Sequence, residues 1–332
     1  MKKVYILTYI FIFSTLLAAQ EPNLGASGAQ FLKIPLGAKQ AGMGGSVVAL
    51  TNDASSIFWN PAGIAKVQGV NLHFSYMKWF DLFDMNAAAI AYNIEGIGVV
   101  GASVVSFTSG QIEITTEKSP NGTGQYYDAQ DLALGVTFAR YLTNDFNVGL
   151  TIKYINQGIW HESASGFAFD IGTQYRLNFR NLTIAMSMSN FGGDLKYEGS
   201  DLEVRQQSDA NFPLSRLAPA YLRTSGYPLP LNFQVGIGFD IYQADFIKVV
   251  GEIDAVHPND NKERLQFGTQ VSVFDRFFAR GGYLYNHDTQ KYAFGMGANI
   301  PTGNTLIEVG YSYSNYDILP AVHRISIGLN IL

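Results

Sequence analysis

The amino-acid sequence predicts an all-β protein, a transmembrane antiparallel barrel of about fourteen strands with a small N-terminal plug segment. Three observations carry this reading. A two-residue hydrophobic period recurs from about residue 70 to the end of the chain. The periodic runs are mostly about 10 to 13 residues long, nearer a membrane-crossing strand than the 5 or 6 of soluble sheets. The composition is aromatic and poor in charge: 14% aromatic and 15% charged residues, with 34 glycines in 332 positions. A soluble domain carries about 25% charge.

The first residues form a targeting segment. Lys2 and Lys3 supply a positive start, Val4 to Leu17 an almost unbroken apolar run, and Ala18-Ala19 small residues for cleavage before Gln20. The run is shorter than the roughly 20 residues that a single anchor helix needs. The expected division is therefore a signal peptide at 1–19, a plug at 20–69 and a barrel at 70–332. The chain has no cysteine, which removes disulfides and thiolate metal sites, and no cysteine follows the leader to take a lipid. A net charge of −5 without a basic run gives no footprint for nucleic acid.

Alternation is plainest at the C-terminus, where Ile325, Ile327, Leu329 and Ile331 alternate with Ser326, Gly328 and Asn330. Ile307, Val309 and Tyr311 alternate with Glu308, Gly310 and Ser312, and Val148, Leu150 and Ile152 with Gly149, Thr151 and Lys153. Strands are expected near 70–79, 84–93, 97–107, 129–142, 145–156, 166–178 and 181–190. A second set follows near 231–242, 245–256, 263–273, 276–286, 291–300, 304–315 and 323–332. Short turns should alternate with longer links at 108–128, 157–165, 191–230, 257–262, 287–290 and 316–322, as outer-membrane barrels require. The even strand count places both barrel ends on the short-turn side.

Phasing assigns faces. The aliphatic series belongs against lipid, and the charges of the opposite phase belong in the lumen: Lys153, Lys248, Glu252, Asp254, Arg280, Glu308 and Arg324. On the lipid side an Arg or Lys at mid-depth costs about 2–4 kcal/mol. These groups are expected either to pair as a structural network or to line a polar path. Trp79, Phe80, Trp160, Tyr283, Tyr285, Tyr313 and Tyr316 lie at strand ends and are expected in an interfacial girdle.

Residues 20–69 have another texture. Gly42-Met43-Gly44-Gly45 permits tight turns, and Pro61 in Asn60-Pro61-Ala62-Gly63 forces Asn60 toward extended backbone. The glycines match neither the dinucleotide nor the P-loop pattern. The stretch Phe31–Ala65, with its Gly-Met-Gly-Gly and Trp-Asn-Pro-Ala-Gly-Ile-Ala blocks, resembles the N-terminal signature of the PorV/PorQ family. That family in turn is similar to the FadL class of fourteen-stranded outer-membrane barrels, whose hatch carries an Asn-Pro-Ala like Asn60-Pro61-Ala62. The resemblance implies a plugged barrel in the outer membrane of a Gram-negative bacterium.

No catalytic, cofactor or metal site is expected. His73, His161, His257, His287 and His323 show no metal-ligand spacing. The link 191–230 is too apolar for a solvated loop; its Phe212, Leu214, Leu217, Tyr221, Leu222 and Tyr227 either fold over the barrel mouth or meet a ligand or partner. The resemblance implies two functions. One is FadL-like passage or binding of hydrophobic molecules, the favoured expectation. The other is service as a type IX secretion component or cargo adaptor. A structural barrel with a sealed lumen is the third alternative. Expected partners are outer-membrane lipids, hydrophobic small molecules, and secretion-system proteins or exported cargo.

Overall fold

A computed structural model describes residues 24–207 and 217–331. The expected leader 1–19, and Phe212 and Leu214, lie outside the described residues. Fourteen strands form the wall. The first seven are β1 Val70–Trp79, β2 Phe83–Ile94, β3 Gly98–Thr108, β4 Ala129–Thr143, β5 Phe146–Ile159, β6 Glu162–Arg176 and β7 Thr183–Gly192. The second seven are β8 Asn232–Gln243, β9 Ile247–Pro258, β10 Arg264–Val273, β11 Phe277–Tyr285, β12 Tyr292–Thr302, β13 Thr305–Tyr316 and β14 Leu319–Ile331.

Each strand pairs antiparallel with its chain neighbours, and β1 closes the sheet on β14 from Val70↔Ile331 to Met77↔Arg324. Closure removes the free edges that hydrocarbon cannot solvate. The alternation turns directly into two faces. On β14, Val322, Arg324 and Ser326 are buried, whereas Ile325 and Ile327 face outward with 52% and 44% of their surface exposed. Phe74, Tyr76, Val136, Phe138 and Ile152 continue the same outer belt. So continuous an apolar surface belongs in lipid.

Two expected links are strands instead. Segment 157–165 contains only a two-residue turn, Trp160-His161, because β5 runs on to Ile159 and β6 begins at Glu162. Gln157, Ser163 and Ser165 are polar because this part of the ladder projects toward the rim, so hydrophobic alternation fades while the hydrogen bonds persist. Segment 316–322 likewise shrinks to Asp317-Ile318. Pro320, which has no N–H to give, stands at an irregularity of the β13–β14 ladder beyond the last β1 partner. Only 109–128 and 193–231 remain long. Both lie at one end of the barrel, the loop end, and β1 starts and β14 finishes at the other, the turn end.

Residues 24–69 thread the lumen as 3-10 turns (Gln30–Lys33, Ala54–Phe58, Pro61–Lys66) around one short helix, α1, Ala38–Gly42. Barrel glycines make room for them. A Cβ at Gly295 would stand 3.0 Å from Gly42 Cα, and one at Gly268 2.9 Å from the Met43 carbonyl. Backbone cannot swing aside as a side chain can, so these positions accept no larger residue without moving the segment.

Gly268→Val is expected to shift residues 42–50 at a cost of about 1–3 kcal/mol, with the barrel still assembled. Ser46→Cys supplies the readout in a chain without cysteine among its described residues. Maleimide labelling should rise about tenfold with Gly268→Val and stay low with Gly281→Val, where a Cβ meets nothing within 4 Å. Equal labelling in both variants would contradict the packing argument.

Candidate functional site

The segment in the lumen is fastened by carboxylates. Val47 and Val48 donate their backbone N–H groups to Asp254 Oδ2 at 3.1 and 3.4 Å. Ala49 and Leu50 donate theirs to Glu252 Oε1 and Oε2 at 2.6 and 3.1 Å. Gln234 adds an Nε2–H bond to Asp254 Oδ2 at 2.8 Å. Glu252 and Asp254 are two apart on β9 and therefore share its inner face, where both are almost fully buried. A hydrogen bond of this kind adds about 0.5–1.5 kcal/mol, and leaving the buried N–H without a partner costs more.

On the opposite side, Asn60 caps the turn Pro61–Lys66. Its Oδ1 accepts from Ala62 N–H at 3.1 Å while its Nδ2 donates to Val48 O at 2.9 Å and Thr173 O of β6 at 3.1 Å. One buried side chain thus ties two parts of the segment to the wall. Gln174 donates to the carbonyls of Val48, Ala49 and Thr51, and Asn147 to that of Ala62. Gly44 and Gly45 take φ of 69° and 81°, which lets the chain reverse beside Gly282 and Gln266. Met43 is buried, and Gly63 packs against Ser56 and Thr51 with no space for a Cβ.

The remaining lumen charges divide. Lys153 pairs with Asp170 at 2.9 Å, Lys248 with Asp240 at 3.2 Å and Arg280 with Glu308 at 3.4 Å. Arg324 instead donates to the Pro35 carbonyl at 3.0 Å and to Ser314 and Tyr316. Asp254, Glu252 and Arg324 therefore hold lumen backbone, a role that pairing by sign does not reveal.

Two cavities flank the segment. The turn-end cavity, about 790 Å³, is rich in charged groups, among them Lys39, Asp53, Lys66, Arg176, Lys248 and Glu308, with Leu50, Leu72 and Leu329 between them. The loop-end cavity, about 800 Å³, is lined on one side by Phe31, Leu36, Phe58, Trp79, Phe107 and Tyr316. Trp79 and Phe80 both meet Tyr316 edge-on, at 5.3 and 5.2 Å between ring centroids. These three rings were expected in the interfacial girdle; they face the lumen instead. The phase held the signal, since Trp79 continues the buried series Asn71, His73, Ser75, Met77 and Tyr316 continues Ser312 and Ser314. Tyr227 also lines this cavity, whereas Tyr221 and Leu222 are exposed. Leu217 begins a small ladder, Glu203–Gln207 with Leu217–Tyr221.

The polar side of the loop-end cavity includes Lys33, Arg264 and His287. His287 Nδ1 accepts backbone N–H bonds from Thr289 and Gln290, and burial, with Arg264 beside it, pushes the imidazole down to about 4. Asp260 pairs with Lys33 at 2.8 Å and also accepts from Gln30 and Ser27. Burial opposes its charge, but these partners outweigh burial and hold the carboxyl below its ordinary range.

A family model described as type IX secretion system protein PorV matches residues 17–216. Among curated proteins none matches the chain. The fold is similar to the Pseudomonas putida toluene transporter TodX (TM-score 0.56, 11% identity, 93% of this chain and 98% of that one). It is also similar to the Ralstonia pickettii toluene transporter TbuX (0.54, 14%, 88% and 96%). A Pseudomonas aeruginosa FadL homologue gives 0.53 at 10% identity over 89% and 98%. At these identities the likeness concerns the fold.

Two outcomes follow. Glu252→Ala with Asp254→Ala orphans the N–H groups of residues 47–50, at about 1–3 kcal/mol per buried donor. In planar bilayers the double variant should conduct ions well above the wild-type level; unchanged conductance would mean that the clamp does not hold the lumen closed. Because Asp260 has a lowered folded pKa, its stabilisation is complete above about pH 4 and fades as pH falls through the lower folded value. Hydrogen exchange of residues 27–33, corrected for intrinsic rate, should therefore quicken toward pH 2. Protection that ignores pH would remove Asp260 as the anchor.

Proposed function

This chain belongs to the family of the type IX secretion system protein PorV, and on that premise we propose that it serves type IX secretion by engaging an exported or translocon protein at its loop end. The supporting observation is the loop-end cavity, apolar on one wall and floored by a segment that is bonded to the wall at Glu252 and Asp254 and, through its own Asn60, at Thr173. A pocket so floored suits holding an apolar group presented from the loop side. The long links 109–128 and 193–231 stand at the same end and extend the surface available to a partner. The reading places the loop end outside the cell, in the outer membrane of a Gram-negative bacterium, with residues 20–69 as a plug.

A second reading, passage of hydrophobic molecules, draws on a specific feature of the wall. Met77, Met85, Ala87, Val105, Ala133 and Ile155 form an apolar inner sector that packs with Phe31 and Leu36. These side chains are covered by the segment, so an apolar molecule would reach them only by displacing Phe31 and Leu36, at roughly 25 cal/mol per Å² of apolar surface exchanged. Against an axial route stand the charged groups of the turn-end cavity, which an apolar solute would have to pass.

Removing residues 203–221, the exposed ladder of the second long link, tests the first reading in the native host. Secretion of type IX cargo is expected to fall several-fold while the barrel keeps its heat-modifiable mobility. Normal secretion, together with co-purified apolar molecules in native mass spectrometry, would favour passage.

A further inference from the structure

The loop face carries a groove outside both lumen cavities. It lies between the stem of the 109–128 link and the β5–β6 turn, with a volume of about 500 Å³. Ile112 and Ile159 give it apolar surface, Trp160 and Tyr127 an aromatic wall, and Glu113 and Glu162 its charge. The two rings are stacked, with centroids 5.4 Å apart and planes inclined by 25°.

Trp160 is held in place although it is 47% exposed. Its Nε1–H donates to His161 Nε2 at 2.8 Å, and His161 Nδ1–H donates in turn to Asp201 at 3.1 Å. The backbone N–H of Asp201 then donates to Glu162 Oε1 at 2.7 Å, which joins the 193–231 link to the same turn. Trp160 occupies φ 54° at the tip of a two-residue hairpin, a left-handed conformation that glycine adopts freely and bulky L-residues avoid. A large exposed ring at that position is disfavoured by the backbone and leaves much of its own surface in water. Such a preorganised aromatic is the kind of group that anchors protein interfaces.

Charge selects the occupant. The carboxylates that line the groove are both acidic partners without a cation: neither Glu113 nor Glu162 forms a salt bridge among the described residues. Glu162 Oε2 is buried without a hydrogen-bond partner among them, and Glu113 Oε1 accepts the Gly124 N–H at 3.2 Å. A stacked Trp–Tyr face attracts a guanidinium or ammonium through its ring electrons. We propose that this groove binds an extended, basic segment of a protein partner, with an Arg or Lys between Glu113, Glu162 and the Trp160 ring and aliphatic neighbours against Ile112 and Ile159. This deepens the reading of the loop end as a protein-binding face, and it names the chemistry of what binds there.

The test uses the full barrel in detergent and two synthetic peptides, one alternating Arg and Leu, the other alternating Glu and Leu. The Arg–Leu peptide should bind, and the Glu–Leu peptide should not. Trp160→Gly, which suits the backbone at φ 54° and so preserves the hairpin, should weaken Arg–Leu binding about tenfold or more. Glu113→Gln with Glu162→Gln should weaken it by a similar factor and flatten its dependence on salt. No binding, equal binding of both peptides, or binding that neither variant changes would overturn the proposal. So would loss, in Trp160→Gly, of self-association or of lipopolysaccharide binding in place of peptide binding. The measurement needs no secretion assay, so its failure leaves the deletion of 203–221 as a separate judgement on the function.

Discussion

Four consecutive backbone N–H groups, from Val47 to Leu50, enter the barrel where no strand is free to pair with them, and the carboxylates of Asp254 and Glu252 accept all four. Most of the interior depends on this arrangement. A buried irregular segment carries polar backbone that water cannot reach, and it is stable only if the wall supplies partners. The wall does so with long polar side chains on inward phases: Glu252, Asp254, Asn147, Gln174, Gln234 and Arg324. Asn60 performs the complementary task from within the segment, binding both its own turn and β6.

Shape follows the same logic. Where the segment approaches the wall closely, the barrel presents glycine, as at Gly149, Gly268, Gly282 and Gly295, and the contact is largely with segment backbone. Between these contacts the lumen opens into two cavities of similar size, both of mixed lining but different in their charges and rings. Aromatic rings gather at the loop end and charged side chains of both signs at the turn end, while amides and aliphatic groups line both. A hydrophobic group entering from the loop side therefore meets favourable surface first and a bonded floor next. This asymmetry, more than the barrel itself, is what argues for holding a partner over conducting a solute.

The strands were legible because membrane and lumen impose opposite chemistry on alternate residues, and the signal extends over ten or more positions. It weakened at the rims. Residues 157–165 and 316–322 looked like links because strand ends that leave the hydrocarbon lose the need for apolar alternation while they keep their ladder. Residue type points Trp79, Phe80 and Tyr316 to a girdle, although phase alone turns Trp79 and Tyr316 inward. The Trp160–His161–Asp201 chain had no sequence signature, since Asp201 lies forty residues beyond His161 and only the fold of the second long link brings them together.

By itself the sequence determined the all-β barrel, its fourteen strands, the sides on which charge and aliphatic residues lie, and the compact glycine-rich texture of residues 20–69. These are consequences of local periodicity and of solvents that differ across one wall. Only the tertiary structure decided which charges pair with each other and which hold backbone, where the lumen stays open, and which aromatic rings meet. Those outcomes depend on the stagger of strands around a closed circle and on the path of a segment without a repeat. Residues far apart in the chain become neighbours there for reasons that no local pattern encodes.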